Sequence, residues 1–199
     1  YLDEIRKGAA KMNMLIEDLL LLSRISRIKN PYELTDIQKL VDSVLERLKY
    51  DIQKHSAAIQ IATVLPTVCC DRIKMTEVFQ NLINNAIKFS SKKDGAPPRV
   101  DIGYRKDGIS HCFYVKDHGI GIDPKYHEQI FGMFKRLHTD KEYEGTGAGL
   151  SIIKRIIEDH SGRVWVESRA GEGATFFFNI PADLKAGEGA SPPPAGESA

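Results

Sequence analysis

In Glu77-Val78-Phe79-Gln80-Asn81-Leu82-Ile83-Asn84-Asn85-Ala86-Ile87-Lys88, the apolar residues Val78, Phe79, Leu82, Ile83, Ala86 and Ile87 recur with the period of an α-helix. Glu77, Asn81, Asn84, Asn85 and Lys88 fall on one opposite stripe, within about 100° of each other. Asn is a middling helix former, so three on one stripe need a reason. A solvated polar face is one. The other is a row of amide oxygens and an ammonium turned toward phosphates. Magnesium takes hard oxygen ligands, commonly one or two from protein and the rest from phosphate and water, and an Asn side chain can supply one.

Asp71 stands where it can cap this helix, which is expected to run to about Ser91. Before it, Ile59–Val64 and Thr67–Cys70 read as two short strands around Pro66. Thr35 with Gln38 makes a capping box for an earlier helix whose apolar face is Ile37, Leu40, Val41, Val44, Leu45, Leu48 and Ile52. Asn30-Pro31 ends the first helix. Within residues 1–28, Leu2, Ile5, Ala9, Met12, Ile16, Leu19, Ser23 and Ser26 alternate steps of three and four, a heptad seam. A lone helix cannot bury such a seam, so the chain is expected to be a piece of a longer helical bundle.

After the Asn helix, Arg99–Arg105 and Ser110–Lys116 read as strands joined by the turn Lys106-Asp107-Gly108. A Gly- and charge-rich stretch from Asp117 to Gly149 is interrupted only by a short helix near Tyr126–Phe134, and connections this long are functional or disordered. The helix Leu150–His160 and the strands Val164–Ser168 and Ala174–Ile180 follow. The lack of regular βαβ alternation indicates an α+β fold with helices on one sheet face. The tail from Leu184 is mostly Gly, Ala, Pro, Ser and Glu and is expected to be disordered. The expected divisions are therefore 1–29, 30–183 and 184–199.

Asp117-His118-Gly119-Ile120-Gly121-Ile122 directly follows a strand. Its glycines let backbone approach a ligand closely. An Asp among apolar neighbours needs a donor, and an adenine amine is a suitable one; a plain turn explains the same residues. Gly145-Thr146-Gly147-Ala148-Gly149-Leu150 precedes the isoleucine-rich helix, where backbone N–H groups bind anions. A dinucleotide-binding loop is excluded by the polar Thr139–Glu144 segment and by the absent Gly-x-Gly-x-x-Gly spacing. Neither a P-loop nor the protein-kinase motif set is present. Between the clusters, Phe131 and Phe134 can anchor a loop to the core, while Lys135, Arg136, His138 and Lys141 offer positive charge. This is a lid over phosphates or a solvated charged loop.

The 199 residues make one ordinary domain plus extras, and 42% hydrophobic content makes a core feasible. Lys+Arg 28 against Asp+Glu 27 gives a net charge of +1, so no grip on nucleic acid is expected. No apolar run reaches the ~18–20 residues of a membrane-spanning helix, and no signal peptide opens the chain. Cys69, Cys70 and Cys112 lack metal-ligand spacing and indicate a reduced, cytoplasmic protein, whether or not its parent is membrane-attached.

Taken in order, the Asn helix, Asp-x-Gly-x-Gly, the paired-Phe segment and Gly-Thr-Gly-x-Gly-Leu resemble the N, G1, F and G2 boxes of the sensor histidine kinase ATP-binding domain. That domain has the Bergerat fold shared with gyrase, mismatch-repair ATPases and a heat-shock chaperone. The resemblance covers about residues 1–182. It implies a two-layer α/β sandwich, a mixed and mostly antiparallel sheet with three helices on one face, preceded by one long coiled-coil-like helix.

It further implies ATP and Mg2+ as ligands. Asn85 would coordinate magnesium, with Asn81 one turn before it and Lys88 near phosphate. Asp117 would bond the adenine amine, and Gly119, Gly121 and Ile122 would shape the base pocket. Phe131 and Phe134 mark the F box, followed by Lys135 and by Arg136 in the place of the lid arginine. Gly145, Thr146, Gly147, Gly149 and Leu150 would wrap the phosphates. Thr175, in Gly173-Ala174-Thr175-Phe176, matches a position reaching the adenine through water. Residues 1–29 resemble the second helix of the dimerisation and phosphoacceptor hairpin. A homodimeric parent and a response-regulator receiver domain as partner are implied with it.

Gly132-Met133 replaces the family's Glu-Pro, and Ala148 stands where Leu is common. His55, His111, His118, His127, His138 and His160 all lie in or beside the ATP-binding part, none in a phosphoacceptor context, so the acceptor helix is expected before Tyr1. The resemblance implies transfer of the ATP γ-phosphoryl group to that histidine and onward to a response-regulator Asp. Imidazole is nucleophilic near neutral pH, so the protein's part is to position ATP and offset phosphate charge. Other readings remain open. One is an ATP-hydrolysing relative, which carries a Glu base where Asn81 stands. Another is a serine kinase of the anti-sigma type, against which the heptad seam argues. The last is an adapter without kinase activity.

Overall fold

The computed structural model describes residues 5, 6, 8, 9, 12, 13, 16, 19, 20, 23, 28, 30–90, 97–133, 135 and 146–187. The expected site residues Phe134, Arg136 and Gly145, the charged His138 and Lys141, and the seam residues Leu2 and Ser26 lie outside them. Among the described seam residues, Ile5, Ala9, Met12, Ile16, Leu19 and Ser23 have helical backbone and are exposed.

Two short strands, β1 (Glu33–Asp36) and β3 (Thr67–Cys70), form an antiparallel ribbon with Leu34 opposite Cys69. Helix α1 (Ile37–Arg47) is capped by Asp36, whose Oδ1 accepts from the Lys39 N–H at 3.1 Å. The capping role expected of Thr35 therefore falls to Asp36, and the reciprocal bond of a capping box is not made. Thr35 is held in the ribbon opposite Val68, its hydroxyl donating to the Glu33 carbonyl, and Gln38 turns to Asp42. Leu48 leaves the helical conformation (φ −86°, ψ 4°) while its side chain stays buried, and the chain restarts as α2 (Lys49–Lys54).

The main sheet has the order β2-β4-β5-β7-β6, built from β2 (Ala58–Ile61), β4 (Arg99–Asp107), β5 (Ser110–Asp117), β6 (Arg163–Ser168) and β7 (Ala174–Pro181). Among the described strands only β2 and β4 pair in parallel, and helix α3 (Arg72–Ser90) lies in the crossover such pairing requires. Helix α4 (Gly149–Asp159) joins α3 and α1 on one face. There Val100, Ile102, Phe113, Val115, Phe176 and Phe178 meet Val78, Phe79, Leu82, Ile152 and Ile156. Phe79, fully buried, sets its edge against Phe113 and Phe178 at 5.9 and 5.4 Å. Truncating it to Ala would cost about 3–5 kcal/mol. The expected short helix near Tyr126 is instead two 3₁₀ turns, Pro124–Tyr126 and Gln129–Phe131.

Candidate functional site

Helix α3 begins where Asp71 Oδ1 accepts from the N–H groups of Ile73 (3.0 Å) and Lys74 (3.1 Å). With its apolar stripe in the core, Asn81, Asn85 and Lys88 come to lie half-buried, and Asn84 is exposed. Asn81 Nδ2 donates to the Glu77 carbonyl (3.0 Å) and to Glu77 Oε1 (2.9 Å). Those two bonds turn Asn81 Oδ1 toward α4, so that a Cβ on Gly149 would stand 2.8 Å from it and 4.0 Å from Asn85 Nδ2. Among the described residues Asn85 has no hydrogen-bond partner. Lys88 Nζ lies 4.7 Å from the centre of the Phe89 ring.

The chain enters α4 through Gly147 (φ +81°) and the fully buried Ala148, whose N–H approaches Thr146 Oγ1 at 3.4 Å. The first-turn amides of α4, from Gly149 onward, have no acceptor within the helix and carry the positive end of its dipole. The first residue of that turn, Gly149, packs against Asn81 and Asn85.

A second cluster forms where α3 ends. Asp117, the last residue of β5, is 3% exposed, and its Oδ1 accepts from the N–H groups of Gly119 (2.9 Å) and Ala174 (3.2 Å). Burial pushes its carboxyl above the usual carboxylate range, and the two backbone bonds partly offset that. Gly119 lies flush on the Phe89 carbonyl, where a Cβ would overlap it, and the Ile120 N–H donates to the same carbonyl at 3.2 Å. Gly121 adopts φ +65° against the Arg169 carbonyl. The Ile122 N–H donates to Ser168 Oγ (2.8 Å), and that hydroxyl donates to the Gly173 carbonyl (2.6 Å). The end of α3, the glycine loop and the β6–β7 hairpin are thereby one hydrogen-bonded unit.

The structure thus brings Asn81 and Asn85 to Gly149, within the Thr146–Leu150 run, and gathers Asp117, Gly119, Gly121 and Ile122 at the end of α3, roughly 12 Å along it from Asn81. Phe131 is an anchor, 8% exposed and edge-on to Phe176 at 6.4 Å, while Lys135 is exposed. Thr175 is not brought in. Its neighbours Ala174 and Phe176 belong to the core, so strand alternation puts Thr175 on the opposite sheet face, in register with Lys116 and Glu167. The residue that touches Asp117 is Ala174, through its backbone. Ser168 was not a candidate from the sequence. Its only signal is a hydroxyl at a strand end just before the Gly171-Glu172-Gly173 turn.

The profile of the family described as histidine kinase-, DNA gyrase B-, and HSP90-like ATPases matches residues 70–184. The chain belongs to this family. On its histidine-kinase side, the chain is 42% identical over 181 residues to phytochrome-like protein Cph1 of Synechocystis sp., covering 91% of this chain and 24% of Cph1. It therefore spans less than a quarter of that relative's length. Among solved structures, the catalytic domain of the histidine kinase ThkA aligns with a TM-score of 0.65 at 29% identity, over 76% of this chain and 95% of that one. Full-length ShkA in complex with AMPPNP gives 0.74 at 28% identity, over 94% and 39%. ThkA in complex with the response regulator TrrA gives 0.72 at 25% identity, over 92% and 50%. The sheet and its helices are thus those of an ATP-binding family. Among the described residues no helix is long and apolar enough to cross a membrane.

Proposed function

We propose that the chain is the ATP-binding catalytic part of a sensor protein-histidine kinase, transferring the γ-phosphoryl group of ATP to a histidine outside these residues for relay to a response-regulator Asp. One arrangement carries this reading: the Asn81–Asn85 edge of α3 lies against the first turn of α4, with Asp117 held beside the end of the same helix. Both bonds that Asp117 accepts fall on Oδ1, so Oδ2 is the oxygen for the exocyclic amine of adenine. The triphosphate takes the α4 amides and the Lys88 ammonium.

Asn85 suits magnesium as a neutral oxygen ligand on a rigid helix, half-buried and without a protein partner among the described residues. Bound there, Mg2+ would neutralise phosphate charge. Asn81, anchored by Glu77, offers a carboxamide that cannot take a proton from water, which favours transfer over hydrolysis. The protein's remaining task is to hold the γ-phosphorus in line with an imidazole that is nucleophilic at neutral pH.

The exposed seam of Ile5, Met12, Ile16 and Leu19 supports a homodimeric parent assembled through residues 1–29. The ThkA–TrrA complex supports a receiver domain as partner. The reduced thiols of Cys69, Cys70 and Cys112 support a cytoplasmic location.

Titration with a fluorescent ATP analogue should show saturable, magnesium-dependent binding, and its absence would leave the adapter reading. Addition of a helical hairpin bearing an acceptor histidine should then give labelling that is acid-labile and base-stable. Rapid phosphate release without any hairpin would favour the ATP-hydrolysing reading.

A further inference from the structure

The two helices that carry the site touch at both ends. At the site, Asn81 Oδ1 of α3 lies against Gly149 of α4. At the other end, the N–H of Asp71, which begins α3, donates to Nε2 of His160, which ends α4, at 3.0 Å. Asn81 stands ten positions after Asp71, and His160 eleven after Gly149. The two contacts therefore close an antiparallel pair about 15 Å long.

His160 is 1% exposed, and its Nδ1 pairs with the Ile156 carbonyl at 2.7 Å. A ring that donates there and accepts at Nε2 is neutral and fixed in one tautomer. Tyr32 stacks on that ring with centroids 4.9 Å apart and planes 13° apart, and its hydroxyl donates to the Asp159 carbonyl at 2.9 Å. Asn30 Nδ2 donates to both oxygens of Asp71, at 3.2 and 3.0 Å. The segment that leads out of the first helix thus grips the start of α3 and the end of α4 at once. Hydrogen bonds at a buried junction such as this one favour a single arrangement of the groups they join.

Resting on the nucleotide reading above, we propose that Asn30, Tyr32 and His160 are positioning residues that aim the first turn of α4 at Asn81 and Asn85, so that the segment after the first helix sets affinity for the triphosphate. Asp117 is fixed to β7 and, through its loop, to the end of α3, so a shift of α4 against α3 leaves the adenine end in place. The leverage is large. A tilt of about 4° at His160 moves Gly149 by ~1 Å over the length of the pair, enough to matter for phosphate positioning.

The test compares a fluorescent ATP analogue with magnesium against adenosine in the 199-residue chain and its variants. Asn30→Ala and His160→Ala should each weaken the triphosphate probe roughly three- to tenfold while adenosine binding stays within about twofold. Tyr32→Phe, which keeps the stack and loses the Asp159 bond, should give a smaller fall in the same direction. His160→Gln, whose carboxamide oxygen can accept from Asp71 N–H, should restore the triphosphate affinity lost in His160→Ala. Parallel weakening of both ligands, tracking the melting temperature, would reduce the network to a structural one and overturn the proposal. Wild-type triphosphate affinity in Asn30→Ala and Tyr32→Phe would overturn it even where His160→Ala does not fold. An unmutated chain that binds neither ligand overturns instead the nucleotide reading.

Discussion

Asp117 and Ala174 stand 57 positions apart in the chain and one hydrogen bond apart in space, the Ala174 N–H donating to Asp117 Oδ1 across 3.2 Å. The same oxygen takes the Gly119 N–H, so a carboxylate that burial disfavours is held in one rotamer by two backbone bonds to Oδ1.

Asp117→Asn keeps an oxygen for both backbone donors but sets an NH2 against the adenine amine. Affinity for an ATP analogue should fall by about 1.5–3 kcal/mol, the value of a hydrogen bond to a charged group. Stability should move the other way. A carboxyl whose folded pKa is raised loses stability as pH climbs from the ordinary 3.8 through the raised value. The variant should therefore equal or exceed the parent in urea melts at neutral pH.

Gly119→Ala puts a methyl into the Phe89 carbonyl, an overpacking change of about 1–3 kcal/mol, and it also displaces the loop that holds Asp117. Gly108 is the control. It has φ +57° in the β4–β5 turn with open space where a Cβ would stand, so Gly108→Ala should cost about 1 kcal/mol of stability. Denaturant unfolding and nucleotide titration on both variants separate the effects. Loss of binding in Gly108→Ala would contradict this account.

Removing magnesium with EDTA should weaken the ATP analogue at least tenfold in the parent chain, since one or two protein oxygens and the phosphates commonly share the ion. In Asn85→Ala the binding should already be weak and nearly indifferent to EDTA. The substitution should shift stability by no more than about 0.5 kcal/mol, Asn85 being half-buried without a partner among the described residues. A full EDTA response in the variant would move the metal ligand elsewhere.

Burial lowers the pKa of His160, with the Lys74 ammonium adding to it and the Ile156 carbonyl and the Asp71 and Asp159 carboxylates opposing it. The unfolded chain therefore binds the proton first. Stability should be full above the ordinary 6.5 and decline as pH falls from there toward the depressed folded value. His111, lowered by burial and by Lys106, contributes with the same sign. The difference in unfolding free energy between pH 7.5 and 5.5 should accordingly shrink, without vanishing, in His160→Gln.

Much of this was legible along the chain. The stripe of Asn81, Asn85 and Lys88 opposite Val78, Phe79 and Leu82 follows from helical period alone, because a helix has one buried side. The glycines at 119, 121 and 147 announce tight backbone, and two of them have positive φ. Other readings failed by small offsets. Thr35 lost its capping role to Asp36 because the β1–β3 ribbon extended one residue further than local propensity suggests. Thr175 belongs to the wrong face because β7 turns Ala174 and Phe176 inward.

Local periodicity and turn chemistry, which depend on sterics within a few residues, determined the α3 stripe, both glycine clusters and the strand–helix order of this protein. Which groups meet across the chain was decided only on folding: Ala174 N–H on Asp117, Ser168 between Ile122 and Gly173, and His160 between Asp71 and Tyr32. Such partners carry no spacing signature. Their pairing is set by strand register and helix packing, where burial leaves each polar group few partners to choose from.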